Sequence, residues 1–232
     1  MSKYPFIYAK ELKKEFEVYG SFYTLNLGNG QSIECRNALE IVRRDKYGLN
    51  RPTNELPDAI AIMMNSGSSR PKKSSDIPVQ VKLKDVLSKN EVLRHWVVTQ
   101  PDTTQFMQMM VANYKGWDYI RILNLSDIRC PKSPVFKTML RELPTIVHSI
   151  FSDERSIERN EMLNIKDNGS YILAWGTDNF LLELANQALP YIPTEKRVGI
   201  PYHDSNALYI HASPLLHERK VAWLEAIMEQ LA

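Results

Sequence analysis

The sequence predicts an α/β protein, a three-layer α/β/α arrangement on a mostly parallel four-stranded sheet, with a small N-terminal β-hairpin in front. Three observations carry that expectation. Between Pro57 and the C-terminus, strand-like runs alternate with amphipathic helical segments four times, the pattern of parallel strands joined by helical crossovers. The first run, Ala59 to Met64, is too short for a helix of its own and apolar throughout, as a strand covered on both faces must be. Ahead of it, FEVYGSFYTL and SIECRNALEI are parted by the turn-rich NLGNGQ, which favours a hairpin with a longer loop.

The 232 residues suffice for a real core, and a hydrophobic share of 44% with 24% charged is that of a globular domain. The expected division is residues 1–56, hairpin and connector, packed on an α/β domain over 57–232. A net charge of +2 excludes a uniformly basic surface, so any nucleic-acid contact has to be local. No apolar run approaches a membrane span, and MSKYPFIYAKELKKEF turns polar too soon for a signal peptide. Cys35 and Cys130 have no CxxC spacing, which argues against a zinc site or a disulfide framework and for a reducing cytoplasm. The oligomeric state is not legible.

In chain order, residues 16–42 form the hairpin. Cys35 and Arg36 can face inward, though a plain structural hairpin accounts for them. Residues 43–57, charged and broken by two prolines, connect it to the first buried strand. That strand stops at Asn65, and the chain turns through Ser66, Gly67, Ser68 and Ser69. Ligands bind at the carboxyl ends of strands in open α/β sheets, so Asn65 and the backbone N–H groups of this loop form a candidate chemical centre. An ordinary strand exit reads the same way. Arg70, Lys72 and Lys73 follow, either as solvated surface or as phosphate contacts.

Residues 81–98 read as mixed helix and loop without placeable boundaries. In TQPDTTQFMQMMVANYKGW, Asp102 or Thr103 caps a helix, Phe106, Met107, Met110 and Val111 give its apolar stripe, and Gly116 stops it. A second strand alternates from Trp117 to Leu123 and ends in Asn124. An amphipathic helix near 135–151 is set to kink or split at Pro144, and 152–169 is a polar excursion. The third strand spans Tyr171 to Gly176, followed by the helix NFLLELANQAL, capped at Thr177 or Asp178. A short strand in RVGIPY, a turn at Asp204 to Asn206 and a fourth strand, ALYI, lead to His211. Val221, Leu224, Ile227, Met228 and Leu231 line one face of a closing helix over 217–231.

The four strand exits are NSGSS, NLSD, WGTDN and HASPL. With four adjacent parallel strands, Asn65, Asn124, Trp175 with Gly176, and His211 all reach one edge of the sheet. No carboxylate pair, Ser-His-Asp arrangement, metal-ligand cluster or P-loop is legible, which removes most hydrolase and NTPase chemistry.

These exits resemble the motifs of the uracil-DNA glycosylase superfamily. HASPLLHERK resembles its HPSPL-type motif, RILNLSDIR the strand that ends in LLN, IMMNSGSS the first motif, and YILAWGT the third strand. Over about residues 57–215 the chain more closely resembles the uncharacterised DUF1643 family, through NSGSS, PDTTQ, NLSDIR and AWG. The glycosylase resemblance implies a fold and a chemistry. His211 would stabilise the departing anionic base, Asn124 would read the base edge, and Asn65 would orient the water that attacks the sugar. Trp175, Gly176, Ser66 and Gly67 would surround the base, while Ser68, Ser69, Arg70, Lys72, Lys73 and Ser213 would hold phosphates. The implied activity is excision of a flipped, modified or deaminated pyrimidine, on single- or double-stranded DNA or a nucleotide, without metal or cofactor. The alternatives are a non-catalytic nucleotide or single-stranded nucleic-acid binder, and a hydrolase of free nucleosides or nucleotides. Three departures stand out. Ser66 and Ala212 replace prolines, Asn65 cannot act as a strong base, and no bulky thymine-excluding residue is evident.

Overall fold

Residues 3–28, 30–88, 94–143, 148–202 and 205–232 are described in the computed structural model of the chain. The kink expected at Pro144 and the turn residue Asp204 lie outside them. Helix α1 (Ala9–Glu15) leads into the hairpin strands β1 (Phe16–Asn26) and β2 (Ser32–Arg43), then a single helical turn α2 (Arg44–Tyr47). Strands β3 (Ala59–Asn65), β4 (Arg70–Pro71) and β5 (Val79–Lys82) follow, then α3 (Leu83–Ser88), β6 (Trp96–Gln100), α4 (Thr103–Lys115) and β7 (Tyr119–Ser126). The C-terminal half carries α5 (Ser133–Glu142), α6 (Ser156–Met162), β8 (Ser170–Leu173), α7 (Leu182–Ala188), β9 (Arg197–Val198), β10 (Pro201–Tyr202), β11 (Ser205–Tyr209) and α8 (His217–Gln230).

Among the described residues nine strands form one mixed sheet, in the order β4-β6-β1-β2-β7-β3-β8-β9, with β5 paired to β1 off that path. Three of the four expected strands, β7, β3 and β8, are parallel neighbours, and β9 extends them as β7-β3-β8-β9. Two features correct the expectation of a mostly parallel four-stranded sheet. The hairpin belongs to the same sheet, since β2 pairs antiparallel with β7 from Leu39↔Ile122 to Val42↔Tyr119. The fourth parallel strand is the two-residue β9, whereas ALYI contributes to β11, which pairs with β10 in a separate two-stranded ribbon. The reason lies in how β11 crosses the end of β8. Tyr209 bridges to Gly176, and a Cβ at Gly199 would sit 2.7 Å from both the Leu173 carbonyl and the Tyr209 ring.

Side-chain alternation along β3 divides the core. Ile60 and Ile62 face Leu123, Leu125, Phe136 and Trp175, while Ala59, Ala61 and Met63 face Met107, Met110 and Val111 of α4 and Trp223 of α8. Both faces are covered, and this is why β3 reads as one apolar run. Helix α4 runs between the limits its sequence sets. Asp102 and Gln105 form a reciprocal capping box, and Gly116 closes the helix in the left-handed region at φ 66°.

The sheet must also coil strongly. From Asn65 to Arg70 the chain advances five residues, a reach of at most about 18 Å. In a flat sheet β3 and β4 would stand five strand spacings apart, about 24 Å. The five-residue link therefore requires the sheet to curl until the β4–β6 edge lies over the exit of β3, and the register shift between Ser21 and Phe22 is a place where β1 can bend. Consequently Asp102, just beyond β6, comes so near the loop after β3 that a Cβ on Gly67 would lie 3.0 Å from its Oδ2.

Candidate functional site

A cavity of about 330 Å³ opens on the α4 face of the sheet, where β3 and β7 end. Asn65, Asn124 and His211 all line it, joined by Gly67, Ser68 and Ser213. Its volume is at the lower end of small-molecule sites. Register explains why the two asparagines meet. Met63 pairs with Asn124 and Asn65 with Ser126 in the parallel β3–β7 ladder, and both asparagines point to the α4 face.

The Asn65 amide has a fixed orientation. Its Nδ2 donates to the carbonyls of Ile128 (3.1 Å) and Cys130 (2.7 Å), and only the NH₂ end can do so. Oδ1 is therefore the acceptor that Asn65 has left to offer. Asn124 is fully buried, and among the described residues neither its Oδ1 nor its Nδ2 has a hydrogen-bond partner. An amide left so is costly, on the order of 1–3 kcal/mol for each unsatisfied group. His211 accepts a bond from the Ser213 backbone N–H at Nδ1 (3.1 Å), so its neutral ring carries the proton on Nε2. Burial holds its pKa below the ordinary value, against the opposing pull of the Asp102 carboxylate. A neutral donor facing a cavity suits an oxygen that gains negative charge.

Two further wall residues come from elements that sequence reading left without a role at the site. Asp102 caps α4 through Oδ1, which accepts from Thr104 (3.0 Å) and Gln105 (3.4 Å), and it is the one carboxylate among the described lining residues. Arg36, from β2, is 1% exposed, donates to the Ser69 hydroxyl, and has no partner at Nε. Burial lowers its pKa to about 10, so it stays charged at neutral pH. The signal for Arg36 was its position beside Cys35 in a hairpin strand, where both can face inward.

Other expected site residues lie elsewhere. Ser66 is buried and donates to the Asp127 carbonyl (2.9 Å), which locks the loop to the end of β7. Ser69 is buried as the acceptor for Arg36. Trp175 faces the opposite side of the sheet and spends its indole N–H on the Ala207 carbonyl (3.0 Å), because period-two alternation after Ile172 sends it away from the cavity. Gly176 serves the bridge to Tyr209. Arg70, Lys72 and Lys73 do not line the cavity. Arg70 and Lys73 are exposed, and Lys72 borders a separate depression with Lys13, Arg44 and Thr99.

Beneath the site, on the other face, lies a charged core. Asp127 is fully buried and accepts from Tyr23 (2.9 Å) and Arg155 (2.6 Å), while Arg155 also donates to Glu158 (2.8 Å). Desolvation pushes the Asp127 carboxyl up to about 6, against the pull of Arg155. The backbone of Asp127 also holds the site together. Its carbonyl accepts from both Ser66 and the Arg36 backbone N–H (2.8 Å).

Among the described residues, no group of three or more His, Cys, Asp or Glu side chains is placed to hold a metal, and no helix is long and apolar enough to cross a membrane. Comparison with protein-family models, curated proteins and solved structures gives no match.

Proposed function

We propose that this protein hydrolyses the N-glycosidic bond of a nucleotide whose base rests against Asn124, as a glycosylase-like enzyme. The observation that carries the reading is the pair of unsatisfied amide atoms on Asn124, fully buried at the wall of a cavity. One donor and one acceptor side by side match the edge of a nucleobase, and a good bidentate contact discriminates by about 1–3 kcal/mol. His211 Nε2–H then donates to the O2 of a pyrimidine as the C1′–N1 bond lengthens and charge moves onto the base. Asn65 Oδ1 orients a water towards C1′. Asp102 supplies what Asn65 lacks, a carboxylate able to take the proton that this water loses. The base leaves as an anion held by the neutral histidine, and the sugar gains the hydroxyl.

The test is base release from oligonucleotides and free nucleotides carrying uracil, other deaminated pyrimidines and hydroxymethylated or glucosylated cytosine, read by mass spectrometry. One base should be released by the wild type. Asn65→Ala and His211→Ala should each slow that release about a hundredfold or more. If the wild type binds a nucleotide but releases nothing, the protein is a binder and the catalytic roles of Asn65, Asp102 and His211 fall.

A further inference from the structure

Arg36 is a buried charge with no counter-ion in contact among the described residues. Arg121 and Arg155, also buried, are paired, with Glu40 at 3.2 Å and with Asp127 at 2.6 Å. Arg36 has the Ser69 hydroxyl, an unpartnered Nε, and Asp102 and, more weakly, Asp127 acting on it through space. Nearby Arg129 adds positive potential, its own guanidinium held by Glu34 (2.8 Å) and the Ser69 carbonyl (3.2 Å). A buried cation left like this opposes folding, and the opposition is relieved when an anion arrives.

Part of the remaining wall suits the same anion, set against the Asp102 carboxylate that caps α4 beside it. Thr103 and Thr104 at the N-terminus of the 13-residue α4 line the cavity, as do Gly67 and Ser68 of the turn after β3. A helix N-terminus favours negative charge, and the planar guanidinium fork matches phosphate oxygens.

We propose that Arg36 receives a phosphate of the nucleotide whose base rests against Asn124. The ligand would thus be a phosphorylated sugar with its base, either the monoester of a free nucleotide or the diester of a strand. This rests on the reading of the cavity as a nucleobase site, and it assigns phosphate recognition to the hairpin rather than to Arg70, Lys72 and Lys73.

Calorimetric titration of the full chain tests it, with a pyrimidine nucleoside, its 3′- and 5′-monophosphates, a dinucleotide and inorganic phosphate as probes. In the wild type, a phosphorylated probe should bind roughly 30-fold or more tightly than the nucleoside. Preference for a monophosphate over the dinucleotide identifies a free nucleotide, and the reverse a strand. Arg36→Met should close the gap without lowering the thermal midpoint, because methionine removes an unpaired buried charge at similar volume. Arg36→Lys, which keeps the charge but loses the fork, should recover part of the gap and serves if the methionine variant does not fold. Asn124→Ala should weaken nucleoside and nucleotide alike.

Equal binding of nucleoside and nucleotide by the wild type would overturn the phosphate subsite and leave the base reading standing. The same holds for a gap that survives in Arg36→Met. Binding of inorganic phosphate by the wild type, but not by Arg36→Met, without nucleoside binding would uphold the subsite and remove the base. Binding of none of the probes overturns both.

Discussion

At the residue scale, the most informative side chain is one that does nothing in the unliganded fold. Asn124 occupies a position where leucine would pack as well, on a strand whose eight residues are all buried. Asn124→Leu should therefore stabilise the protein by about 1–2 kcal/mol, because two unsatisfied buried groups give way to methyls on a side chain of the same branching, whose extra volume the adjoining cavity takes up. Ligand binding should be lost at the same time. Urea unfolding monitored by tryptophan fluorescence checks the first half, and a fall in stability would mean that the amide holds the fold together rather than a ligand. Asn65, Asn124 and His211 were legible because each follows an apolar run in the sequence. Trp175 was misplaced by the same rule, since a strand exit says nothing about which face the next side chain takes. Ile172 and Ala174 pack on the cavity side, so the odd-numbered Trp175 had to go the other way.

At the element scale, α4 joins stability to chemistry. Its start and stop were readable from Asp102 and Gly116, and its apolar stripe from the methionines. What the local sequence did not hold was the position of that start beside the loop after β3, because β6 and β4 are short, partly polar strands without a periodic signature. Asp102 therefore looked like a cap and nothing more. The two roles separate by substitution. Asp102→Asn keeps the cap, since asparagine is as good at that position, and should leave unfolding free energy within a few tenths of a kcal/mol of wild type. It should still lose base release, having no carboxylate. Asp102→Ala should lose activity and in addition about 1 kcal/mol of stability. An asparagine variant with full activity would show that Asp102 does not take the proton from the water.

At the scale of the whole molecule, the parallel block was readable from strand–helix alternation, while the hairpin's entry into the same sheet was not. Pairing of β2 with β7 joins segments about 80 residues apart, and no local pattern encodes such a contact. The polar excursion of 152–169 was misleading for a related reason. Arg155 and Glu158 fold inward, where Arg155 bridges Glu158 to Asp127 just beyond β7, and Asp127 also accepts from Tyr23 of β1. This buried network sets how global stability responds to pH. Asp127 titrates at about 6 in the fold against 3.8 when free, so its protonated form favours folding. That contribution is complete below about pH 4 and is lost as pH rises through 6. His148, whose carbonyl accepts the Asp127 N–H (2.7 Å), behaves oppositely. Burial pushes it down to about 4 from 6.5, so it contributes above pH 6.5 and loses that contribution as pH falls towards 4. Each effect is on the order of 3 kcal/mol, and over pH 4 to 6 they nearly cancel. His211, also held low by burial, adds in the sense of His148. With Asp127 and His148 offsetting each other, wild-type stability should rise between pH 4 and 6 by the His211 contribution. His148→Gln removes one side of the balance and should become less stable as pH rises across that range, while gaining on wild type by about 3 kcal/mol between pH 6.5 and 4. Denaturant unfolding at half-unit pH steps measures the difference. Parallel curves for the two proteins would mean that His148 is not held neutral by the fold, and the balance with Asp127 would not exist.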